Sequence, residues 1–292
     1  MSHAFLDRLV ERISSGMGPV VVGLDPRLEA LPATIEPGAP AATRILEFYR
    51  QALPLIARHA PVVKPNIAFF ERHGAAGFAA YEETCALARG EGLLVIGDIK
   101  RGDIGSTAEA YADVHLQLAD AVTLQPYMGS DALRPFLADC DDDGKAVFVL
   151  VRTSNPSASE LQDLQCGDQR LCEAVADAVN QLAEGLPIVH GYSPVGAVVG
   201  ATAADELRGL RERMPRAWLL LPGVGAQGAS SSDCAAAFDR DGLGGLISQS
   251  RGIMQCFSPD DPDWPAAVEA ACAHFSQQAA AVAHGEAGSR AP

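Results

Sequence analysis

Eight short apolar runs, separated by segments with helical periodicity, constrain the fold of this chain more than any other feature. The runs are rich in Val, Ile and Leu and comprise residues 20–24, 62–64, 93–99, 121–124, 146–151, 195–200, 218–221 and 245–247. Near-continuous apolar character is typical of parallel strands that helices cover. Eight repetitions of strand and helix predict a single-domain (β/α)8 TIM barrel of the α/β class.

The main alternative fold is an open, doubly wound sheet. No G-x-G-x-x-G motif follows the first apolar run, which disfavours a dinucleotide-binding domain of that type. A chain of 292 residues is also a common length for a one-domain barrel. We therefore assign residues 1–275 to the barrel and predict a frayed C-terminal tail over 276–292, where Ala, Gln and Gly predominate.

Helices are predicted from apolar residues at helical spacing in 41–59 and 168–184. Residues 1–15 alternate charged and apolar side chains, which indicates an amphipathic helix and not a signal peptide. Ser106, with Glu109 three residues later, predicts a capping box for a helix that ends near Leu118. The polar segment 152–170 is expected to be a long functional loop.

The formal net charge of −15 excludes nucleic acid as an expected partner, since phosphate backbones are bound by basic surfaces. No apolar stretch approaches the roughly 18 residues of a membrane span, so we expect a cytoplasmic protein without a membrane partner. The seven cysteines are odd in number and lack C-x-x-C spacing, which disfavours a zinc site or a disulfide framework. We expect most of them to be buried.

Lysine is rare in this chain, because only Lys64, Lys100 and Lys145 occur among 22 cationic residues. Lysine can release a proton near neutral pH when its surroundings are tuned, whereas arginine cannot. Lys64 and Lys100 both lie at the ends of apolar runs. These two positions are therefore candidates for chemistry.

Polar residues collect at the C-terminal ends of seven of the eight runs. They are Asp25, Lys64, Asp98, Lys100, Gln125, Arg152, Thr153, Ser154, Gln227, Gln249 and Arg251. In a β/α barrel the active site lies at this end of the strands. The pattern predicts an active site there.

The run Asp98-Ile99-Lys100-Arg101-Gly102-Asp103 is the candidate catalytic centre. Strand alternation would point Asp98 and Lys100 to the same side, into the barrel mouth, and Asp103 would follow in the loop. Two carboxylates favour the ammonium form of a lysine, which makes it a positioned proton donor. A buried structural ion pair is the alternative interpretation.

The last two strand ends suggest an anion site. Residues 223–228 read Gly-Val-Gly-Ala-Gln-Gly, and Arg251 follows the eighth run. The loops after strands seven and eight commonly bind phosphate in β/α barrels. Glycines let backbone N–H groups approach the oxygens, and arginine can bind them in bidentate fashion. A plain turn is the alternative for the glycine run.

Six segments between residues 20 and 252 resemble one family. In chain order they are VVGLDPR, VVKPNIAFFE, GDIKRGDIGSTAEAYA, RTSNP, LPGVGAQG and SQSRG. The chain thus resembles the orotidine 5'-phosphate decarboxylases of the longer bacterial branch, type 2. This resemblance implies decarboxylation of orotidine 5'-monophosphate to UMP and CO2, the last step of de novo pyrimidine nucleotide synthesis, without a metal or organic cofactor.

The resemblance also implies residue roles. Lys100 matches the proton donor to the pyrimidine carbon that loses its carboxylate, and Asp98 matches the carboxylate near the departing group. Lys64 matches the lysine that links the ribose to the acidic pair, and Asp25 matches a ribose-hydroxyl ligand.

Further implied roles concern the rest of the substrate and a second subunit. Ser154 matches the contact to the pyrimidine amide edge, and Gln227 and Arg251 match the phosphate ligands. In this family some residues of each chain serve the neighbouring subunit's site, which implies a homodimer. The matching positions here are Asp103, Ile104 and Thr107. Positions that depart from the commoner pattern are Asn66, Ile67 and Gln249.

Two other functions are compatible with parts of the pattern. A magnesium-dependent sugar-phosphate decarboxylase or synthase on the same barrel shares D-x-K-x-x-D, but it needs a carboxylate for the metal where this chain has Lys64. A catalytically inactive barrel that senses a nucleotide is the second alternative. It is disfavoured because every charged position of the motif is present.

Overall fold

Eight parallel strands form a closed barrel in the computed structural model, which describes residues 5–142, 144–225 and 228–285. The strands are β1 Val20–Leu24, β2 Val62–Pro65, β3 Leu94–Arg101, β4 Ala121–Leu124, β5 Ala146–Arg152, β6 Ser193–Val199, β7 Ala217–Pro222 and β8 Gly245–Gln249. Each strand pairs with its neighbours in this order, and β8 pairs with β1. The predicted TIM barrel is confirmed, and all eight predicted runs are strands.

Helices precede the barrel and connect its strands. They are α1 Phe5–Ser14, α2 Ala41–Ile56, α3 Ala68–Glu71, α4 Gly74–Gly90, α5 Gly105–Leu118, α6 Arg134–Asp142, α7 Ser159–Gln162, α8 Leu171–Leu182, α9 Ala204–Arg213, α10 Arg251–Met254 and α11 Trp264–Ala283. Among the described residues, no helix combines the length and the apolar character that crossing a bilayer requires.

Strand alternation divides the apolar side chains into two groups. On β3, Val95 packs with the helices, whereas Leu94 and Ile96 belong to a second cluster that includes α1. The helix α1 contributes Phe5 and Leu9 to this second cluster, and both are buried. This second cluster forms an apolar plug that fills the barrel.

Contacts at the strand beginnings place α1 at the N-terminal end of the barrel. The Phe5 N–H donates to the carbonyl of Gly144, just before β5. Arg8 donates to Asp120, just before β4, at 3.1 Å, and the other Asp120 oxygen accepts the Val95 N–H at 2.8 Å. The opposite, C-terminal end of the strands is left as the mouth.

The predicted tail is wrong for residues 276–283, because α11 continues through Ala283. Ser276, Ala279 and Val282 are buried, and the Ser276 hydroxyl accepts the Gly18 N–H at 2.9 Å. Alanine is the strongest helix former, so the composition of this segment suits a packed helix. Residues 286–292 lie outside the described residues.

Two local predictions also differ from the structure. Helix α5 begins at Gly105 with no side-chain cap, so Ser106 is inside the first turn and forms no capping box. The segment 152–170 is not a plain loop, because it contains α7 and a small antiparallel hairpin of Gln165–Cys166 with Gln169–Arg170. Most cysteines are buried, as predicted, and all seven are outside disulfides.

Candidate active site

A buried carboxylate held by two lysines lies at the barrel mouth. Lys64, near the end of β2, donates from Nζ to Asp98 Oδ2 at 2.7 Å. Lys100 donates from its Nζ to Asp98 Oδ1. Only 10% of the Lys64 side chain and 8% of the Asp98 side chain are exposed, but 48% of the Lys100 side chain is. Lys100 is therefore the most accessible member of the array.

The array is charged because its members stabilise one another. Burial alone would raise the pKa of Asp98, but the two ammonium groups and their hydrogen bonds outweigh it and hold that pKa well below its usual range. Burial alone would lower the pKa of Lys64, but the carboxylates of Asp98 and Asp25 raise it. At neutral pH the mouth thus contains fixed charges of both signs.

The backbone of β3 is irregular at this point. Between the pairs Gly97–Val122 and Arg101–Leu124, β3 advances four residues while β4 advances two. Lys100 has φ +48°, in the left-handed region that a lysine rarely adopts. The predicted proximity of Lys100 and Asp98 is found, but it arises from a bulge and not from regular strand alternation.

A carboxylate at the end of β1 has an unsatisfied oxygen. The Ser250 hydroxyl lies 2.7 Å from Asp25 Oδ2 and 3.1 Å from the Gly23 carbonyl, and its single hydrogen can serve one of them at a time. Among the described residues, Asp25 Oδ1 is buried without a hydrogen-bond partner. A ligand hydroxyl would satisfy it.

A pocket of about 160 Å³ lies beside this carboxylate. Its lining includes Asp25, Lys64, Gly223, Gln249, Ser250 and Arg251. The Gln249 amide lies close to two glycines, because a Cβ built at Gly225 or Gly252 would be 2.9 or 2.7 Å from it. The pocket joins Asp25 and Lys64 to Arg251, as expected of one site. Gln227 lies outside the described residues, so its predicted role stays a prediction.

The residues that were predicted to serve a second subunit lie beyond β3. Asp103 accepts the N–H of its neighbour Ile104 at 2.8 Å, and no ion pair of Asp103 occurs within the described part of the chain. Ile104 is 52% exposed and Thr107 is also exposed. The structure therefore does not bring these residues into the Lys64–Asp98–Lys100 array of their own chain.

The sequence model of the orotidine 5'-phosphate decarboxylase / HUMPS family matches residues 18–259. The chain belongs to this family. Orotidine 5'-phosphate decarboxylase from Rhodopirellula baltica is 42% identical over 279 residues, which cover 88% of this chain and 92% of the relative. That of Deinococcus radiodurans is 42% identical over 258 residues, covering 87% and 90%.

A solved structure of orotidine 5'-phosphate decarboxylase from Leishmania donovani superposes with a TM-score of 0.77 at 37% identity. The match covers 96% of this chain and 99% of that chain. The fold and the sequence motifs of this chain are therefore both those of the orotidine 5'-phosphate decarboxylase family.

Two predicted strand-end residues differ in their surroundings. Ser154 is half-buried after β5 and packs against Gly200, where a Cβ would lie 2.9 Å from the Ser154 Cβ. Arg152 was included in the predicted mouth, but its guanidinium pairs with Asp163 and Glu206, each at 3.0 Å. Arg152 thus lies at the end of its strand, as predicted, but its guanidinium is paired with these carboxylates and not with the Lys64–Asp98–Lys100 array.

A possible metal-ligand group occurs beside Arg152 and not at Asp98. Asp163, Cys172 and Glu206 offer ligand atoms within 4.8 Å of one another, the one such group found in the described residues. Arg170 also lies 2.8 Å from Glu206, so arginines already neutralise the carboxylates. We assign no metal to this group.

Sequence reasoning missed one residue of the site, Thr123 on β4. Its hydroxyl accepts the Lys100 N–H at 3.1 Å and donates to Asp98 Oδ1 at 3.0 Å. The available signal was a polar residue within the buried run Ala121–Leu124. That signal is weak, since threonine is common in strands whether or not a site lies nearby.

Proposed function

We propose that this chain decarboxylates orotidine 5'-monophosphate to UMP and CO2, with Lys100 as the catalytic acid. The observation that carries the proposal is the array of Lys64, Asp98 and Lys100 at the mouth of the barrel. Membership of the family and relatives named orotidine 5'-phosphate decarboxylase support the same reaction. The reaction belongs to pyrimidine nucleotide biosynthesis, for which we propose a cytoplasmic location.

The reaction needs a cation at the carbon that loses its carboxylate. When the C–C bond breaks, the electron pair stays on the ring carbon in the plane of the ring, where no π-system can delocalise it. An ammonium group can stabilise that charge and then transfer its proton to the carbon. Lys100 provides such a group, since Asp98 fixes its Nζ while about half of its side chain remains accessible.

Asp98 contributes a second effect when it lies near the substrate carboxylate. At about 4 Å and an effective dielectric constant of about 20, two like charges repel by roughly 4 kcal/mol. Loss of CO2 relieves this repulsion, so the ground state is raised relative to the transition state. The amount is too small for the whole barrier, and stabilisation by preorganised charge with binding energy from the remote phosphate must supply the rest.

The pocket beside Asp25 suits the ribose and phosphate portions of the nucleotide. We assign the ribose hydroxyls to Asp25, whose Oδ1 has no partner among the described residues, and to the neighbouring Lys64. Arg251 and Gln227 are assigned to the phosphate, and Ser154 to the pyrimidine amide edge. Arg251 lines the same pocket as Asp25, which supports one continuous site.

A magnesium-dependent reaction of a sister enzyme is less compatible with this array. Both Asp98 oxygens accept hydrogen bonds from ammonium groups, and Lys64 occupies the position where a further carboxylate would be needed. A divalent cation placed there would meet two positive charges. The lysines thus favour decarboxylation of the nucleotide without a metal.

We further propose a homodimer with shared sites, in which Asp103, Ile104 and Thr107 complete the partner's site. Apolar exposure supports this, because Tyr127, in the loop after β4, is 84% exposed and Met128 is 42% exposed. Burial of such side chains drives association. Mixing Asp103→Ala with Lys100→Ala protein should restore activity through hybrid dimers, and no rescue after subunit exchange would contradict sharing.

The reaction itself is tested by the ultraviolet absorbance change of orotidine 5'-monophosphate, with and without EDTA. We expect turnover that EDTA does not alter, with UMP and CO2 as the products. No absorbance change with purified protein would contradict the proposal. Activity that EDTA removes and magnesium restores would favour the metal-dependent sister chemistry.

A further inference from the structure

The bulge in β3 removes the Lys100 N–H from the strand ladder. A half-buried backbone donor without a partner is costly, so this group must be satisfied elsewhere. The Thr123 hydroxyl, opposite the bulge on β4, accepts it at 3.1 Å. A side chain therefore replaces a ladder hydrogen bond at the residue that we propose as the catalytic acid.

The same hydroxyl also reaches the catalytic carboxylate. Thr123 Oγ1 donates to Asp98 Oδ1 at 3.0 Å, and Asp98 Oδ1 accepts the Lys100 ammonium as well. A hydroxyl can accept one hydrogen bond while it donates another, so the two contacts are compatible. They close a ring that runs from the Lys100 backbone through Thr123 and Asp98 to the Lys100 side chain.

The burial of Thr123 makes this ring difficult to replace. Thr123 is 1% exposed, so water has little access to the hydroxyl position if the side chain is changed. Its neighbours Val122 and Leu124 point to the helices, which leaves Thr123 facing into the barrel with Ala121. The hydroxyl is thus held at the base of the mouth.

The strained backbone of Lys100 needs such a support. A non-glycine residue at φ +48° persists only where its surroundings hold it. On the following residue, the Arg101 guanidinium donates to the Ile99 carbonyl at 3.0 Å and lies 5.4 Å from the centre of the Tyr111 ring. Thr123 holds Lys100 from inside the barrel, and Arg101 fixes the adjoining backbone from outside.

We propose that Thr123 is a positioning residue that fixes both the backbone of Lys100 and the orientation of Asp98 for proton transfer. The inference rests on the proposed decarboxylation. Thr123 touches the catalytic groups and not the ribose–phosphate pocket, whose lining does not include it. Its loss should therefore reduce kcat and leave nucleotide binding intact.

The experiment compares Thr123→Val with Thr123→Ser in steady-state decarboxylation and in UMP binding. Val keeps the shape and removes the hydroxyl, so we expect kcat to fall about 10²-fold, as for a catalytic group displaced by about 1 Å. The UMP dissociation constant should change less than about threefold, because binding and chemistry separate in such variants. Ser keeps the hydroxyl and should recover most of kcat.

Thr84→Val is the matched control, because Thr84 is also fully buried and its hydroxyl bonds to the Ala80 carbonyl within α4. The same chemical change there should leave kcat unaltered. If Thr123→Val does not fold, Thr123→Ala is compared with Thr123→Ser, since both lose the methyl group and only one keeps the hydroxyl.

Two results would overturn the inference while wild-type protein is active. One is a kcat for the variant without the hydroxyl that equals the wild-type value. The other is a Ser variant as impaired as the Val or Ala variant, which would assign the effect to packing. Wild-type protein without decarboxylase activity would instead contradict the proposed function, so the two failures are distinguishable.

Discussion

The two ends of the barrel are built from the same strands but from opposite kinds of residues. At the N-terminal end, Phe5 and Leu9 of α1 pack on inward-facing apolar side chains of the strands. At the C-terminal end, buried Lys64 and Asp98 form a charged array with the partly exposed Lys100, which lies on the bulged and left-handed backbone of β3. The apolar packing of α1 and the charged array therefore lie at opposite ends of the barrel.

The strand β3 shows the difference within eight residues. Its inward positions are apolar at Leu94 and Ile96 and charged from Asp98 onward. Left-handed backbone and buried charge both cost free energy, which the packing elsewhere in the fold must offset. Substitutions at the mouth should therefore change turnover with little loss of stability, and substitutions at the plug should do the reverse.

The largest expected effect is that of Lys100→Ala. General acid catalysis contributes about 10²–10⁴-fold and electrostatic stabilisation about 10²–10³-fold, so the loss in kcat should be about 10⁵-fold or more, roughly 7 kcal/mol. UMP binding should persist, since Asp25 and Arg251 remain. Discontinuous or long-duration absorbance assays measure the residual rate of decarboxylation, and calorimetry measures UMP binding.

Lys145→Ala is the matched control at the other end of the barrel. Lys145 directly precedes β5 and donates to the Ala119 carbonyl at 3.0 Å. Its loss should leave kcat at the wild-type value. Near-normal turnover in Lys100→Ala, or an equal loss in both variants, would contradict the division between the two ends.

The next effect is the loss of stability in Leu9→Ala. Leu9 is fully buried in the plug, so its truncation should lower the free energy of unfolding by about 2–5 kcal/mol, and kcat at moderate temperature should be retained. Urea denaturation measures the free energy of unfolding, and the absorbance assay measures kcat. Ile13→Ala, at a half-buried position of the same helix, should cost less. A kcat that falls in Leu9→Ala while the protein is still folded would show that the plug shapes the mouth.

The sequence predicted the barrel because strands and helices leave short-range patterns of apolar residues, and these patterns match the elements of the structure. Strands β1 and β4 even have the predicted bounds. The proximity of Asp98 and Lys100 was also predicted, since both lie on one strand. Sequence position at a strand end does not say which way a long side chain turns, and the Arg152 guanidinium pairs with Asp163 and Glu206.

The bulge and Thr123 could not be predicted for a different reason. Left-handed backbone is usually signalled by glycine or asparagine, and here a lysine adopts it. The contact that satisfies its N–H comes from β4, 23 residues away in the chain. Such a compensation between two strands depends on register, which a bulge changes and which the pattern of apolar residues does not encode.

A smaller effect at the mouth is expected for Arg251→Ala. A charge-assisted hydrogen bond contributes about 1.5–3 kcal/mol, so affinity for UMP should fall about 10–10²-fold. Affinity for uridine, which has no phosphate, should change little, and the two are compared by titration calorimetry. Equal losses for both ligands would contradict the phosphate assignment. The free energy of unfolding should be nearly unchanged, in contrast to that of Leu9→Ala.

The smallest effect is a pH dependence that arises at His115, near the C-terminus of α5. Burial, helped by the charge of Arg101 and opposed by Glu71, lowers the pKa of His115 to about 4. Because the unfolded chain binds this proton near pH 6.5 and the folded chain does not, stability should be full above pH 6.5 and decline between pH 6.5 and 4. Allowing for screening by solvent, the contribution is about 1–2 kcal/mol.

Denaturation of His115→Leu against pH tests this origin. Within the described residues, His115 Nδ1 has no hydrogen-bond partner, so leucine leaves no acceptor or donor unsatisfied there. The variant should lose less stability than wild type between pH 6.5 and 4, whereas His274→Leu, at an exposed position of α11, should retain the wild-type decline. An unchanged decline in His115→Leu would place the acid sensitivity elsewhere. A flattened decline would assign the acid sensitivity to the buried His115 imidazole.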